Sequence, residues 1–327
     1  MPRAARIDYP GLLQHVIIRG NERRKIFRDD WDRHSFVKRF SALLEKTDIA
    51  CLAWALLDNH AHFLLRTGRT SLARFMRRLL TGHATTFNLR HGRSGHLFQN
   101  RFKSIVCDEE TYLLELVRYI HLNPLRAGAV RDLDALDHYP WCGHGVLLGT
   151  HEFGGQVTEE VLLRFSSRLS FARRRYRQFV TDGAAQGSRE KWGEGGFRRS
   201  SWRTKEEDSE AIFDQRVLGS ADFVEQVLQD SETAQMIPAL PIGELIQRVA
   251  QAFDLSPESL GLRKRSRPVV KARSVLCYFA VREMGMSGEK VGRKLNISRA
   301  GVSYAADRGE ALLAEDPKLR ERIVNRD

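Results

Sequence analysis

Cysteine is scarce in this chain. Its 327 residues include four, Cys51, Cys107, Cys142 and Cys277, scattered and with no pair at CxxC spacing. That excludes a disulfide framework and argues against a zinc knuckle, leaving reduced, buried thiols as the expectation. No apolar run approaches the roughly 18 residues of a membrane span. Residues 1–11 carry no apolar stretch of the kind an export signal needs. A cytoplasmic protein with no membrane partner is expected. Acidic charge is in the minority, with 41 Asp and Glu against 53 Lys and Arg, a net charge of +12 and a pI near 9.8. Clustered cations displace the counterions condensed on phosphate backbones, so a nucleic acid is the partner this balance favours.

The hydrophobic fraction, 42%, is ordinary for a globular chain, and the length suggests about two domains at roughly 150 residues each. Residues 183–210 read GAAQGSREKWGEGGFRRSSWRTKEEDSE, rich in Gly, Ser and charge, as a linker or long loop does. Three parts follow: residues 1–150, a helical extension with linker over 151–236, and a helical domain over 237–327.

In the first part the patterning predicts a strand at His15–Arg19 and a helix over 31–46 carrying Phe36, Phe40, Leu43 and Leu44 at helical spacing. A hairpin is predicted over 49–57 and 60–65, turning at Asp58-Asn59. Then come a helix over 71–89 capped by Ser71, a strand over 98–107, and a helix over 108–122 begun by Asp108 and ended by Asn123-Pro124. The expected fold is α+β, an antiparallel sheet with packed helices, followed by an all-α domain.

Two spacings carry chemistry. His60 and His62 lie two apart on a predicted strand, so both imidazoles reach one point, as a divalent metal requires. Tyr119 and Asn123 lie at i and i+4, which share a helix face. If that helix packs on the hairpin, phenol and amide converge on the histidines. Taken singly, each feature is more often packing or surface. His121, two residues from Tyr119, faces elsewhere on a helix and reads as structural. Arg77, Arg78, Arg101 and Lys103 are candidates for phosphate contacts, the last two sharing a face of the predicted strand; Phe98 and Phe102 read as core rather than as base-stacking rings.

The strings DNHAHFLL, FQNRFKS and YIHLNPLRAGAV, in this order and spacing, resemble the IS200-type single-tyrosine transposases, and within them the REP-associated branch. The likeness is strong over residues 5–150 and looser to about 230. It implies a ferredoxin-like HUH endonuclease domain in which His60, His62 and Asn123 hold Mg²⁺ or Mn²⁺, with nitrogen donors favouring Mn²⁺. Tyr119 falls on the nucleophile, implying a 5′-phosphotyrosine intermediate on single-stranded or hairpin DNA. Monomer and homodimer both stay open.

Residues 240–325 resemble the DNA-binding domain of the replication initiator DnaA, through AQAFDLSPESL, RSRPVVKAR and a helix-turn-helix over 287–295 and 298–311. Residues 262–273 read as a basic turn leading into a helix over 274–283. The resemblance assigns Arg265, Arg267, Lys271 and Arg273 to that turn, and Ser298, Arg299 and Ser303 to the start of the recognition helix. Ser298-Arg299-Ala300-Gly301 stands where the family reads bases with Asp-His-Thr-Thr, so duplex binding with a different preference is expected. A non-catalytic DNA-binding regulator is the alternative to a transposase. Retention of His60, His62, Tyr119 and Asn123 together argues against it.

Overall fold

The computed structural model describes residues 6–185, 214–236, 241–262, 266–284 and 286–324. The chain divides into two compact units, Met1–Ala234 and Gln235–Asp327.

The first unit is built on a five-stranded sheet in the order β2-β3-β1-β4-β5. The strands are β1 (Leu13–Arg19), β2 (Ala50–Leu57), β3 (His60–Arg66), β4 (Lys103–Cys107) and β5 (Val217–Leu218). The first four pair antiparallel. The two-residue β5, contributed from beyond residue 213, pairs parallel with β4, so the sheet is not wholly antiparallel. Asp58 and Asn59 make the β2–β3 turn, as the sequence suggests.

Period-two alternation gives the sheet two apolar faces. On one, Val16, Ile18 and Phe63 pack against Phe36 and Phe40 of α1 (Asp30–Glu45) and Phe75, Met76 and Leu79 of α2 (Leu72–Arg90). Each of these helices starts on a side-chain cap: Asp29 accepts from the amide of Asp32, and Ser71 from that of Arg74. On the other face, Leu13, Leu64 and Ile105 pack against Leu113, Leu116, Val117 and Ile120 of α3 (Glu109–Arg126). Behind α3 come α4 (Leu133–Asp137), α5 (Gly143–Leu148), α6 (Glu159–Leu163) and α7 (Leu169–Ala185). Residues 151–185 therefore belong to the same packed unit. Gln156 accepts from Trp54 Nε1 at 3.0 Å and donates to Leu52 O at 3.2 Å, and Tyr176 is fully buried. α8 (Ala221–Met236) sets Val224 and Val227 against Val106, Val217 and Ile7.

Three local expectations are corrected. The strand predicted over 98–107 is confined to β4. Phe98 makes a single bridge to Gly20 and Arg101 lies in a bend before the strand. Phe102 is buried, with the Arg6 guanidinium 4.0 Å above its ring, and its carbonyl accepts from that guanidinium at 2.8 Å. The helix expected to end at Asn123-Pro124 runs on to Arg126. A proline deprives only the carbonyl four residues back of a donor. Here the side-chain amide of Asn123 donates to Tyr119 O at 2.8 Å and reaches Ile120 O at 3.5 Å. The basic turn of 262–273 gives way to helix at Arg267, because Pro268 in the first turn has its φ preset for helix.

The second unit is helical: α9 (Ile242–Ala252), α10 (Arg267–Cys277) continuing as a π turn over Tyr278–Glu283, α11 (Gly288–Leu295), α12 (Arg299–Glu315) and α13 (Pro317–Val324). α11 begins on the Ser287 cap and stops at Asn296, whose φ of 53° is left-handed, a conformation asparagine tolerates. Ser298 caps α12 through Gly301 N at 3.0 Å. Leu245, Val249, Leu260, Val275, Val291, Leu295 and Val302 form the core. All four cysteines are buried and unpaired. Among the described residues no helix is long and apolar enough to cross a membrane.

Burial also sets an acid limit on the first unit. His83 of α2 is buried among Phe27, Phe36 and Phe87, and its Nε2 lies 2.8 Å from Ile26 O, to which it donates. Burial lowers its pKa from 6.5 to about 4. The unfolded chain thus takes the proton more readily. The stability tied to neutral His83 is complete above pH 6.5, falls below it, and is lost by about pH 4. The urea midpoint should therefore drop between pH 7 and pH 5, and drop less in His83→Gln. Parallel losses in the two proteins would show that His83 does not carry the effect.

Candidate active site

Cross-strand partners in an antiparallel pair share a face, so the register determines what surrounds the two histidines. His62 stands opposite Ile17, and Ile17 opposite Lys103; His60 stands opposite Arg19. His15, two residues from Ile17, stands opposite Leu64 and Ile105. One face therefore carries His60, His62, His15, Arg19 and Lys103, and it is the face that α3 covers. The rings of His60 and His62 are 5.2 Å apart. Tyr119 approaches edge-on, 5.8 Å from the rings of both His62 and His15. Asn123, one turn later, hydrogen-bonds the Tyr119 side chain. The four residues singled out in the sequence are thus gathered in one place.

The helix is held in register by ions at its start. Arg66, at the end of β3, donates from Nε to Glu109 Oε2 at 3.0 Å and from Nη1 to Glu160 Oε2 at 3.0 Å. Glu109 opens α3, so this fork ties the strand bearing the histidines to the helix bearing the tyrosine. Deeper in, His144 Nε2 lies 2.9 Å from the Asp137 carboxylate, and its Nδ1 lies 2.6 Å from the Tyr176 hydroxyl. His121 Nδ1 lies 2.7 Å from the same hydroxyl. His121 is fully buried and fastens α3 to α7, the structural role its position suggests.

Desolvation dominates the electrostatics. Burial brings His60 down to about 4 and holds His62 well below the usual histidine range. Both are neutral near pH 7, the form in which imidazole binds a metal. Burial pushes the Tyr119 phenol up to about 12, opposed by Arg126, Asn123 and Arg19. The Arg126 guanidinium is 5.8 Å from the phenol ring. Among the described residues no three His, Cys, Asp or Glu side chains form a ready-made metal cluster. The donors on this face are the two imidazoles, with the Asn123 amide on the helix beside Tyr119. His60 Nδ1 lies 2.6 Å from Asn59 Oδ1 and His62 Nδ1 lies 3.0 Å from His15 Nε2, so the nitrogens left for a cation are the two Nε2. Neutral nitrogens of this kind can hold a divalent cation.

Sequence reasoning missed His15, Arg19 and Arg126. The alternation of HVIIR puts His15, Ile17 and Arg19 on one face, but which face depends on a pairing 47 residues away in the chain. Of the candidate phosphate contacts, Lys103 joins the site face and is half-buried. Arg101 sits outside the strand, correcting the expectation that it shares a face with Lys103. Arg77 and Arg78 ride on α2, across the sheet from Tyr119, and so are not gathered with the site.

In the second unit Arg265 lies outside the described residues. Arg267 and Lys271 are exposed on α10. Arg273 is part-buried, donating to Leu260 O at 2.8 Å and Ser259 O at 3.3 Å, which anchors the helix to the preceding turn. Lys271 and Arg273 thus belong to a helix, not a turn. Arg299 and Ser303 are exposed at the start of α12, and beside them Tyr304, which sequence reasoning passed over, is 73% exposed.

Comparison with known proteins follows the same division. Residues 9–123 match the family described as IS200-like transposase, and residues 242–308 match the bacterial DnaA helix-turn-helix. The chromosomal replication initiator protein DnaA of Oleidesulfovibrio alaskensis is 27% identical over 86 residues, 26% of this chain and 19% of that protein. The chain thus spans about a fifth of that curated relative. A solved REP-associated tyrosine transposase bound to a REP hairpin aligns over 48% of this chain and 98% of its own, at 17% identity and a TM-score of 0.37. The chain carries an IS200-like transposase domain at its N-terminal end and a DnaA-type helix-turn-helix domain towards its C-terminal end.

Proposed function

We propose that the protein is a metal-dependent single-stranded DNA endonuclease and strand transferase that works through a phosphotyrosine link to Tyr119. The observation that carries this reading is the convergence of Tyr119 with His60, His62 and Asn123 beneath one helix. A divalent cation held by His60, His62 and Asn123, Mg²⁺ or Mn²⁺, would neutralise charge on a non-bridging oxygen of the scissile phosphate.

The chain's own residues supply the rest. The Tyr119 oxygen attacks phosphorus; the new O–P bond forms as the bond from phosphorus to the 3′ oxygen breaks. The phenol gives up its proton, and the departing 3′ oxygen takes one to become a hydroxyl. Arg126 and Arg19 favour the phenolate and offer positive charge to the phosphate. The ester's energy is kept in the link, so attack by another 3′-hydroxyl rejoins DNA without a nucleotide cofactor. The substrate is single-stranded or hairpin DNA, because the backbone must be splayed to reach a tyrosine only 6% exposed. The second unit binds duplex DNA through α12, with Arg299, Ser303 and Tyr304 presented to it.

Incubation with Mn²⁺ and end-labelled single-stranded hairpins, followed by denaturing electrophoresis, tests this. An adduct retaining the label 3′ of the break is expected. Tight duplex binding without any adduct across a broad hairpin set would turn the reading towards a DNA-binding regulator.

A further inference from the structure

His15 has no part in the chemistry above, yet its buried ring lies 5.8 Å from that of Tyr119. It is 1% exposed, between Leu13 and Ile17 on its own strand and opposite Leu64 and Ile105. In such surroundings a leucine would pack without cost, whereas a buried imidazole must place two polar nitrogens. One of them, Nδ1, has no hydrogen-bond partner among the described residues. The other, Nε2, lies 3.0 Å from His62 Nδ1. The two ring planes are 18° from parallel with centroids 5.3 Å apart, so the rings meet edge to edge, as an in-plane N–H···N bond requires. Both sit on paired strands, so neither can drift.

We propose that His15 is a positioning residue for His62, holding its Nδ1 edge so that Nε2 is the nitrogen offered to the divalent cation. This rests on the metal site of the reading above. The partner of a metal-bound imidazole's second nitrogen fixes its ring orientation and tautomer. Here that partner is another neutral imidazole, which can donate or accept. With a cation on His62 Nε2, the His62 proton is on Nδ1 and is donated to His15 Nε2. The His15 proton then resides on its own Nδ1, as a buried N–H with no acceptor. Without the cation the opposite sense is cheaper: His15 Nε2–H donates to His62 Nδ1 and leaves only a lone pair unpaired. Cation binding therefore reverses this hydrogen bond and exchanges the tautomers of both rings.

Two measurements test it on the full chain. Imidazole ¹⁵N spectra of histidine-labelled wild type, with and without saturating Mg²⁺, should show the His15 proton moving from Nε2 to Nδ1; a His15 signal that stays put overturns the proposal. This reading needs no variant to fold. Mn²⁺ titration by calorimetry at constant pH should give a dissociation constant raised about 10- to 100-fold in His15→Phe. His15→Gln, whose side-chain amide can still bond His62 Nδ1, should stay within a few fold of wild type. A purely packing role would favour the apolar ring and reverse that order. Wild-type affinity in a cooperatively melting His15→Phe also overturns the proposal. Failure of the underlying reading has a separate signature: Mn²⁺ binding that is absent in wild type, or that survives His60→Ala with His62→Ala, removes the metal site and this inference with it.

Discussion

Tyr119→Phe should leave no covalent protein–DNA adduct, a fall of at least about 10³-fold in product, with single-strand binding held within a few fold. The substitution removes one oxygen and keeps the ring. Edge-on contacts to His15 and His62 persist, as does the packing against Arg126, so α3 keeps its place. No charge changes, because a phenol pushed up to about 12 is protonated at neutral pH. Mn²⁺ affinity should stay close to wild type, since the donors proposed for the cation are untouched. The combination separates a lost nucleophile from a collapsed site. Adduct formation at the wild-type rate in the phenylalanine variant would place the nucleophile elsewhere in the chain.

A second large effect belongs to the other unit. Gly309→Ala should destabilise it by about 3 kcal/mol or more, the upper range for overpacking. A β-carbon at Gly309 would lie 2.1 Å from the carbonyl oxygen of Ser274, a backbone atom that cannot swing aside. α10 and α12 meet there, and α12 bears Arg299, Ser303 and Tyr304 on its exposed side. Pushing the helices apart should cost duplex affinity and flatten its salt dependence. Adduct formation on single-stranded hairpins should continue at the wild-type level. A variant that melts like wild type would mean that the two helices can separate freely at this point.

These two substitutions also mark what the sequence could and could not disclose. The hairpin was readable because alternation and the Asp58-Asn59 turn are local, and alternation alone puts His60 and His62 on one side. Tyr119 and Asn123 were readable as neighbours because helix spacing is local too. The end of α3 was not, since a proline normally marks a stop. Only the structure displays the Asn123 amide reaching Ile120 O, the carbonyl that Pro124 leaves behind, while it donates to Tyr119 O. His15 was invisible for a different reason. Its meaning depends on the register of β1 against β3, and no pattern within seven residues encodes that. Likewise the close approach of α10 and α12 gives Gly309 its importance, although in sequence it is one glycine among 25.

The parallel pairing of Val217 and Leu218 with Val106 and Cys107 bears on how such a chain is assembled from modules. A piece cut off at residue 150, or at 185, would keep the tyrosine and both histidines but strip the outer edge of β4. Bare amides and carbonyls there would invite another copy to add a strand, and the apolar side chains that face Val224 and Val227 would lose their cover. The first compact unit is therefore longer than the transposase signature, and extends to about residue 234. The second compact unit, which carries the match to the DnaA helix-turn-helix, begins just past it.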